Sequence, residues 1–171
     1  MRDLEQTAAA AGILILEGEL PGSERGRWYA SKKVIVLQSG MSATRTRCAL
    51  CHELGHAFLG HDMSTLDPVI RARQERQADE YAAERLITAE SYARAETLHG
   101  AYLPSIANEL NVTLAIAETW RELWIRKRQN GIRSTTPVRK MASQVRRQLR
   151  QTPNSRHMAQ REDGTRQGAS R

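Results

Sequence analysis

Apolar residues recur along this chain in more than one rhythm. Gly12-Ile13-Leu14-Ile15-Leu16 and Lys33-Val34-Ile35-Val36-Leu37 are short apolar runs, and Val34 to Leu37 reads as a short strand. From Ser42 to Leu59 the apolar positions (Ala43, Leu50, Ala57 and Phe58) are spread through a segment that reads as a helix, and Gly60 stands where a helix C-cap falls. Asp67-Pro68 looks like an N-cap followed by proline at the first helical position, opening a helix over about Pro68 to Ile87. Ile106, Leu110, Val112, Ile116, Trp120 and Leu123 then form one apolar face over two helices joined by a short turn, the second capped by Thr113. That last pair resembles a helix-turn-helix, but Ala115 to Glu122 carries Arg121 as its one basic residue beside Glu118 and Glu122. A helix that reads DNA would be more basic, so a helical subdomain packed beside the rest is expected instead.

The first helix carries His52-Glu53-Leu54-Gly55-His56, an H-E-x-x-H pattern. Residues four apart on a helix share a face, so the two imidazoles can bind one metal ion. Glu53 follows the first of them and can serve as general base toward a water at that metal. The bland alternative is a surface helix bearing two unrelated histidines. Imidazoles set in a partly apolar helix need polar partners, and a metal is one such partner.

A catalytic zinc site takes three protein ligands and leaves a position open. Glu75 and Asp79 lie four apart on the helix that follows. If that face looks toward the first helix, Glu75 can be the third ligand, and Asp79 can accept a hydrogen bond from the far nitrogen of a ligand histidine and fix its tautomer. The competing picture is an ordinary solvated charged face, since Arg71, Arg73, Arg76 and Glu80 lie alongside. Asp62, six residues after His56, remains a minor alternative ligand. His61 falls one residue short of the position a third histidine needs and reads as a surface or cleft residue.

The segment Arg47 to His61 resembles the ImmA/IrrE metallo-endopeptidases, and so does Glu75-Arg76-Gln77-Ala78-Asp79-Glu80-Tyr81-Ala82-Ala83-Glu84-Arg85-Leu86-Ile87. The likeness covers about residues 10 to 125. It implies a zincin-like α+β fold, mainly helical, in which the two N-terminal apolar runs belong to a small mixed sheet. It further implies one Zn2+ per chain bound by His52, His56 and Glu75, with Glu53 as catalytic base and Asp79 supporting a ligand from behind. Four positions depart from the family pattern. Tyr81 stands for a usual Phe, Thr88 for a common Pro, and Cys48 and Cys51 for non-thiol residues. Cys48 to His52 also matches a c-type haem attachment pattern, but that would take His52 from the metal motif, and two small buried thiols are the expected reading.

In such a site the substrate lies extended against an edge strand beside the motif helix, and Val34 to Leu37 is the expected strand. His61, Tyr92, His99 and Tyr102 are candidates by type alone for the donor that steadies the oxyanion. Family members cleave helix-turn-helix repressors, relieving repression of mobile elements such as phages or of stress genes. The expected function is therefore zinc-dependent, site-specific cleavage of a protein substrate, a transcriptional repressor. A non-proteolytic antirepressor or nucleic-acid-associated binding protein is the competing reading.

Composition adds compartment and tail. No run nears the roughly 20 apolar residues of a membrane helix. Neither a signal peptide nor a disulfide framework is evident in 171 residues with two cysteines, so a cytoplasmic protein is expected. From Arg126 onward there are 13 basic and two acidic residues, out of 26 and 19 in the whole chain, so the basic excess belongs to the tail. The expected organisation is a peptidase domain over residues 1–128, its helical subdomain at about 89–128, and a basic, largely disordered tail over 129–171. Such a tail is able to contact nucleic acid or an acidic partner by charge; its bland alternative is a solubilising extension.

Overall fold

The computed structural model describes residues 1–61 and 64–129. Asp62 and the basic tail from residue 130 lie outside the described residues. Helix α1 (Arg2–Ala10) leads through a left-handed Gly12 into strand β1 (Leu14–Gly18); strands β2 (Gly26–Tyr29) and β3 (Val34–Gln38) follow, separated by a short 3-10 turn. Five helices then complete the described fold: α2 (Ala43–Leu59), α3 (Pro68–Leu86), α4 (Ala89–His99), α5 (Leu103–Glu109) and α6 (Leu114–Gln129). The outcome is the mainly helical α+β fold with a small mixed sheet that the sequence leads one to expect.

The sheet differs from expectation in one respect that bears on function. Its order is β1-β3-β2, with β1 parallel and β2 antiparallel to β3. Val34 to Leu37 is therefore the central strand, its backbone groups committed on both sides, and cannot receive an added strand. The edge nearest the motif helix is β2, which packs on α2. Gly26-Arg27-Trp28-Tyr29 is too short and too mixed in polarity to announce itself as a strand; pairing with β3 defines it.

Caps set the two central helices. The Ser42 hydroxyl accepts from Arg45 N–H at the start of α2, and Asp67 accepts from Val69 and Ile70 N–H at the start of α3. Thr88, where the family often has proline, forms a reciprocal capping box with Ser91 and opens α4. The core gathers Ile35 and Leu37 from β3, Leu50, Cys51 and Leu54 from α2, and Ala82 and Ala83 from α3. Cys48 and Cys51 are buried free thiols, and burial pushes the Cys51 thiol up to about 12.

Helix α6 is committed to packing. It lies on α3 and α5, burying Ile116, Ala117, Trp120 and Leu123. Trp120 stacks between Tyr92 and Trp124, at centroid distances of 4.2 and 5.4 Å. On its exposed side Arg126 pairs with Glu80 at 2.6 Å and Lys127 pairs with Glu84. Thr113 faces Ile116 N–H at 3.5 Å, where the cap was expected.

Candidate metal centre

Two helices cross so that their polar faces meet. Gly55 makes this approach available: a Cβ there would lie 3.1 Å from Ala78 Cα, 3.2 Å from Ala78 O and 3.2 Å from the Tyr81 ring. Around this close approach α2 presents His52 and His56, which flank Gly55, while α3 presents Glu75 and Asp79, which flank Ala78.

Three atoms converge. His52 Nε2 lies 3.0 Å from His56 Nε2 and 3.2 Å from Glu75 Oε2, and His56 Nε2 lies 3.7 Å from the same oxygen. Ligands held about 2.0–2.1 Å from a tetrahedral zinc stand about 3.3 Å from one another. The triangle thus has the size a zinc ion requires, and its donor set, two imidazoles and one carboxylate, is a catalytic-zinc set. Among the described residues these three are the cluster able to hold a metal ion. Two imidazole nitrogens facing each other this closely need either a shared hydrogen or a metal ion between them.

The electrostatics say the same. Burial works against charge on His52, but hydrogen bonds to Asp79 and Glu75 outweigh it and lift the imidazole to about 10. The His52 imidazole at 3.2 Å, with His56 just beyond it, holds the Glu75 carboxyl far below the usual range. Behind the triangle, His52 Nδ1–H donates to Asp79 Oδ1 at 2.9 Å, which leaves Nε2 free to ligate a metal.

Glu53 points elsewhere. It is 6% exposed, and burial raises its carboxyl even though the charges of His52 and His56 pull it down. Its carboxylate accepts from the Trp28 backbone N–H of β2. The strand comes so close that a Cβ on Gly26 would sit 2.7 Å from Glu53 Cγ and 2.8 Å from its Oε1. A buried carboxylate with a raised pKa beside two imidazoles is suited to taking and returning a proton.

These groups line a cleft of about 410 Å³. One wall is β2 with the segment before it (Ser23 to Trp28), another the start of α6 (Thr113, Ala115 and Ile116), and Arg45 and Arg71 add charge. The four residues suggested by type for the oxyanion do not line it. Tyr92 is buried against Trp120, His99 faces Glu109 at 3.3 Å, and Tyr102 is exposed.

His61 is the residue the sequence reading placed wrongly. It is 7% exposed rather than a surface residue, and its Nδ1 lies 3.0 Å from His56 Nδ1. Burial, then the charge of His56, lowers its pKa, against a hydrogen bond to the Gln77 side chain. The signal was present: Gly60 takes the left-handed conformation (φ 67°, ψ 35°), and His61 N–H bonds to His56 C=O at 3.0 Å. That ending sets the residue after the glycine against the side chain five positions back.

Fold and site together define a protein of the metallopeptidase kind, with the H-E-x-x-H helix and a glutamate helix facing each other. The chain belongs to the peptidase family whose sequence model, described as IrrE N-terminal-like domain, matches residues 8–119. Among solved structures it is similar to a Mycobacterium tuberculosis transcriptional regulator, with TM-score 0.51 and 13% identity, over 68% of this chain and 38% of that one. The likeness at that identity is one of fold, and the chain spans well under half of that protein. No curated protein matches it in sequence.

Proposed function

We propose that this protein is a zinc-dependent endopeptidase that cleaves a helix-turn-helix transcriptional repressor and so relieves repression of a mobile element or of stress genes. The observation that carries the catalytic part is the meeting of His52, His56 and Glu75 beside the buried Glu53 in one cleft. The substrate class rests on the family, and the proposed setting is the cytoplasm. Among the described residues no helix is long and apolar enough to cross a membrane.

His52, His56 and Glu75 would hold the ion, and Asp79 orients His52. A bound zinc supplies Lewis acidity, lowering the pKa of water and polarising a carbonyl. Glu53 accepts a proton from the attacking water and hands it to the leaving amine; its raised pKa suits both transfers. Strand β2 offers its free edge to an extended peptide, which places the scissile bond beside Glu53 without use of side-chain specificity. The Trp28 N–H keeps the Glu53 carboxylate in place while the strand is occupied.

The test is incubation of the zinc-loaded protein with purified helix-turn-helix repressors from its source, with products read by mass spectrometry. The parent should cut one of them at a defined bond, and Glu53→Gln should abolish cleavage while keeping its metal. Relief of repression by Glu53→Gln equal to that by the parent would contradict proteolysis and favour the non-proteolytic antirepressor.

A further inference from the structure

We propose that His61 is a positioning residue for the metal: it accepts a hydrogen bond from His56 Nδ1–H and so fixes the tautomer and ring plane that present His56 Nε2 to the ion. The inference rests on the metal-site reading given above, and its observations are separate ones.

The two rings meet edge to face, 5.1 Å between centroids and 70° between planes, with their Nδ1 atoms 3.0 Å apart. One proton can lie between two nitrogens at that distance, so one ring donates and the other accepts. His56 Nε2 faces His52 Nε2 and Glu75 Oε2, and a ligating nitrogen must offer a lone pair. The proton of a neutral His56 is then on Nδ1. His56 donates, and His61 Nδ1 accepts. His61 then carries its proton on the other nitrogen, with the Gln77 side chain as a polar neighbour of the ring. The buried His56–His61 pair thus joins α2 to the segment after its C-terminus, beside the half-buried Gln77 of α3.

A packing role alone would not select this residue. The position after a helix-ending glycine is commonly filled by an apolar side chain packed on the preceding turn. An imidazole 7% exposed at that position loses its hydration and needs polar partners, and His56 Nδ1 is one at 3.0 Å. The two proposed histidine ligands are therefore supported differently: His52 by the anion Asp79, His56 by a neutral ring.

The experiment measures zinc affinity of the full chain by chelator competition for the parent, His61→Leu and His61→Asn, with thermal unfolding of the metal-free forms alongside. Asn Oδ1 is bonded to Cγ as His Nδ1 is, so it can accept the same hydrogen bond; Leu cannot. His61→Leu should bind zinc about 10–100-fold more weakly, and His61→Asn should recover most of that loss. Parent-like affinity in His61→Leu, or equal loss in both variants, would overturn the inference and leave the metal site standing. A parent that binds no zinc would overturn both. Should His61→Leu fail to fold, nitrogen-15 NMR of the zinc-loaded parent decides: a protonated His56 Nδ1 supports the assignment, and an unprotonated one overturns it.

Discussion

Asp79 Oδ1 stands 2.9 Å from His52 Nδ1, on the side of the ring opposite Glu75. The contact orients the His52 ring and, in the proposed site, supports it as a ligand without touching the place where an ion would sit. Asp79→Ala is expected to weaken zinc binding about 10–100-fold, and Asp79→Asn, which retains an acceptor, by less. Chelator competition at neutral pH measures both; an unchanged constant in Asp79→Ala would make the contact incidental.

The closeness of Gly26 and Glu53 gives a second outcome. A Cβ at residue 26 would overlap Glu53 Cγ and Oε1, and the buried carboxylate must shift to admit it. Gly26→Ala should keep its metal and its fold yet lose about 10²-fold in peptide hydrolysis, since misplacement of about 1 Å costs that much. Kinetics on any cleaved peptide, paired with metal content, read the two effects apart.

Gly55→Ala acts on the helix crossing instead. Its Cβ would meet backbone atoms of Ala78, which cannot rotate aside as a side chain tip can. Overpacking of this kind costs about 1–3 kcal/mol and would move Glu75 and Asp79 away from α2. Urea unfolding should show the loss of stability, with weaker zinc binding accompanying it.

pH offers a test of the unloaded site. His52 holds its proton more tightly folded, at about 10, than its ordinary 6.5. Its contribution to stability is complete below about pH 6.5 and is lost as pH rises through about 10. The melting temperature of the metal-free protein should therefore fall across that window. With zinc bound, the ion takes the proton's place, so this decline should disappear, and binding at pH 7 should release protons detectable by calorimetry in buffers of different ionisation enthalpy.

The helices that carry the site were legible because their signals are local. Ser42 and Asp67 cap them, the i, i+4 spacing pairs His52 with His56 and Glu75 with Asp79, and Gly60 ends α2. Strand β2 was not legible, since Gly26 to Tyr29 is short and mixed in polarity and is defined as a strand only by its pairing with β3, and that pairing turns Val34 to Leu37 from an edge into the centre. His61 was missed because counting residues from His56 asked only whether it could reach the metal. Its actual contact is with the back of His56, and it follows from the handedness of Gly60.

The central claim is that His52, His56 and Glu75 hold one zinc ion, and metal content tests it most directly. The purified parent should carry near one equivalent of zinc, and His56→Ala and Glu75→Ala should each lose it while remaining folded. Full zinc occupancy in Glu75→Ala, or a parent that takes up no zinc when it is supplied, would contradict the account.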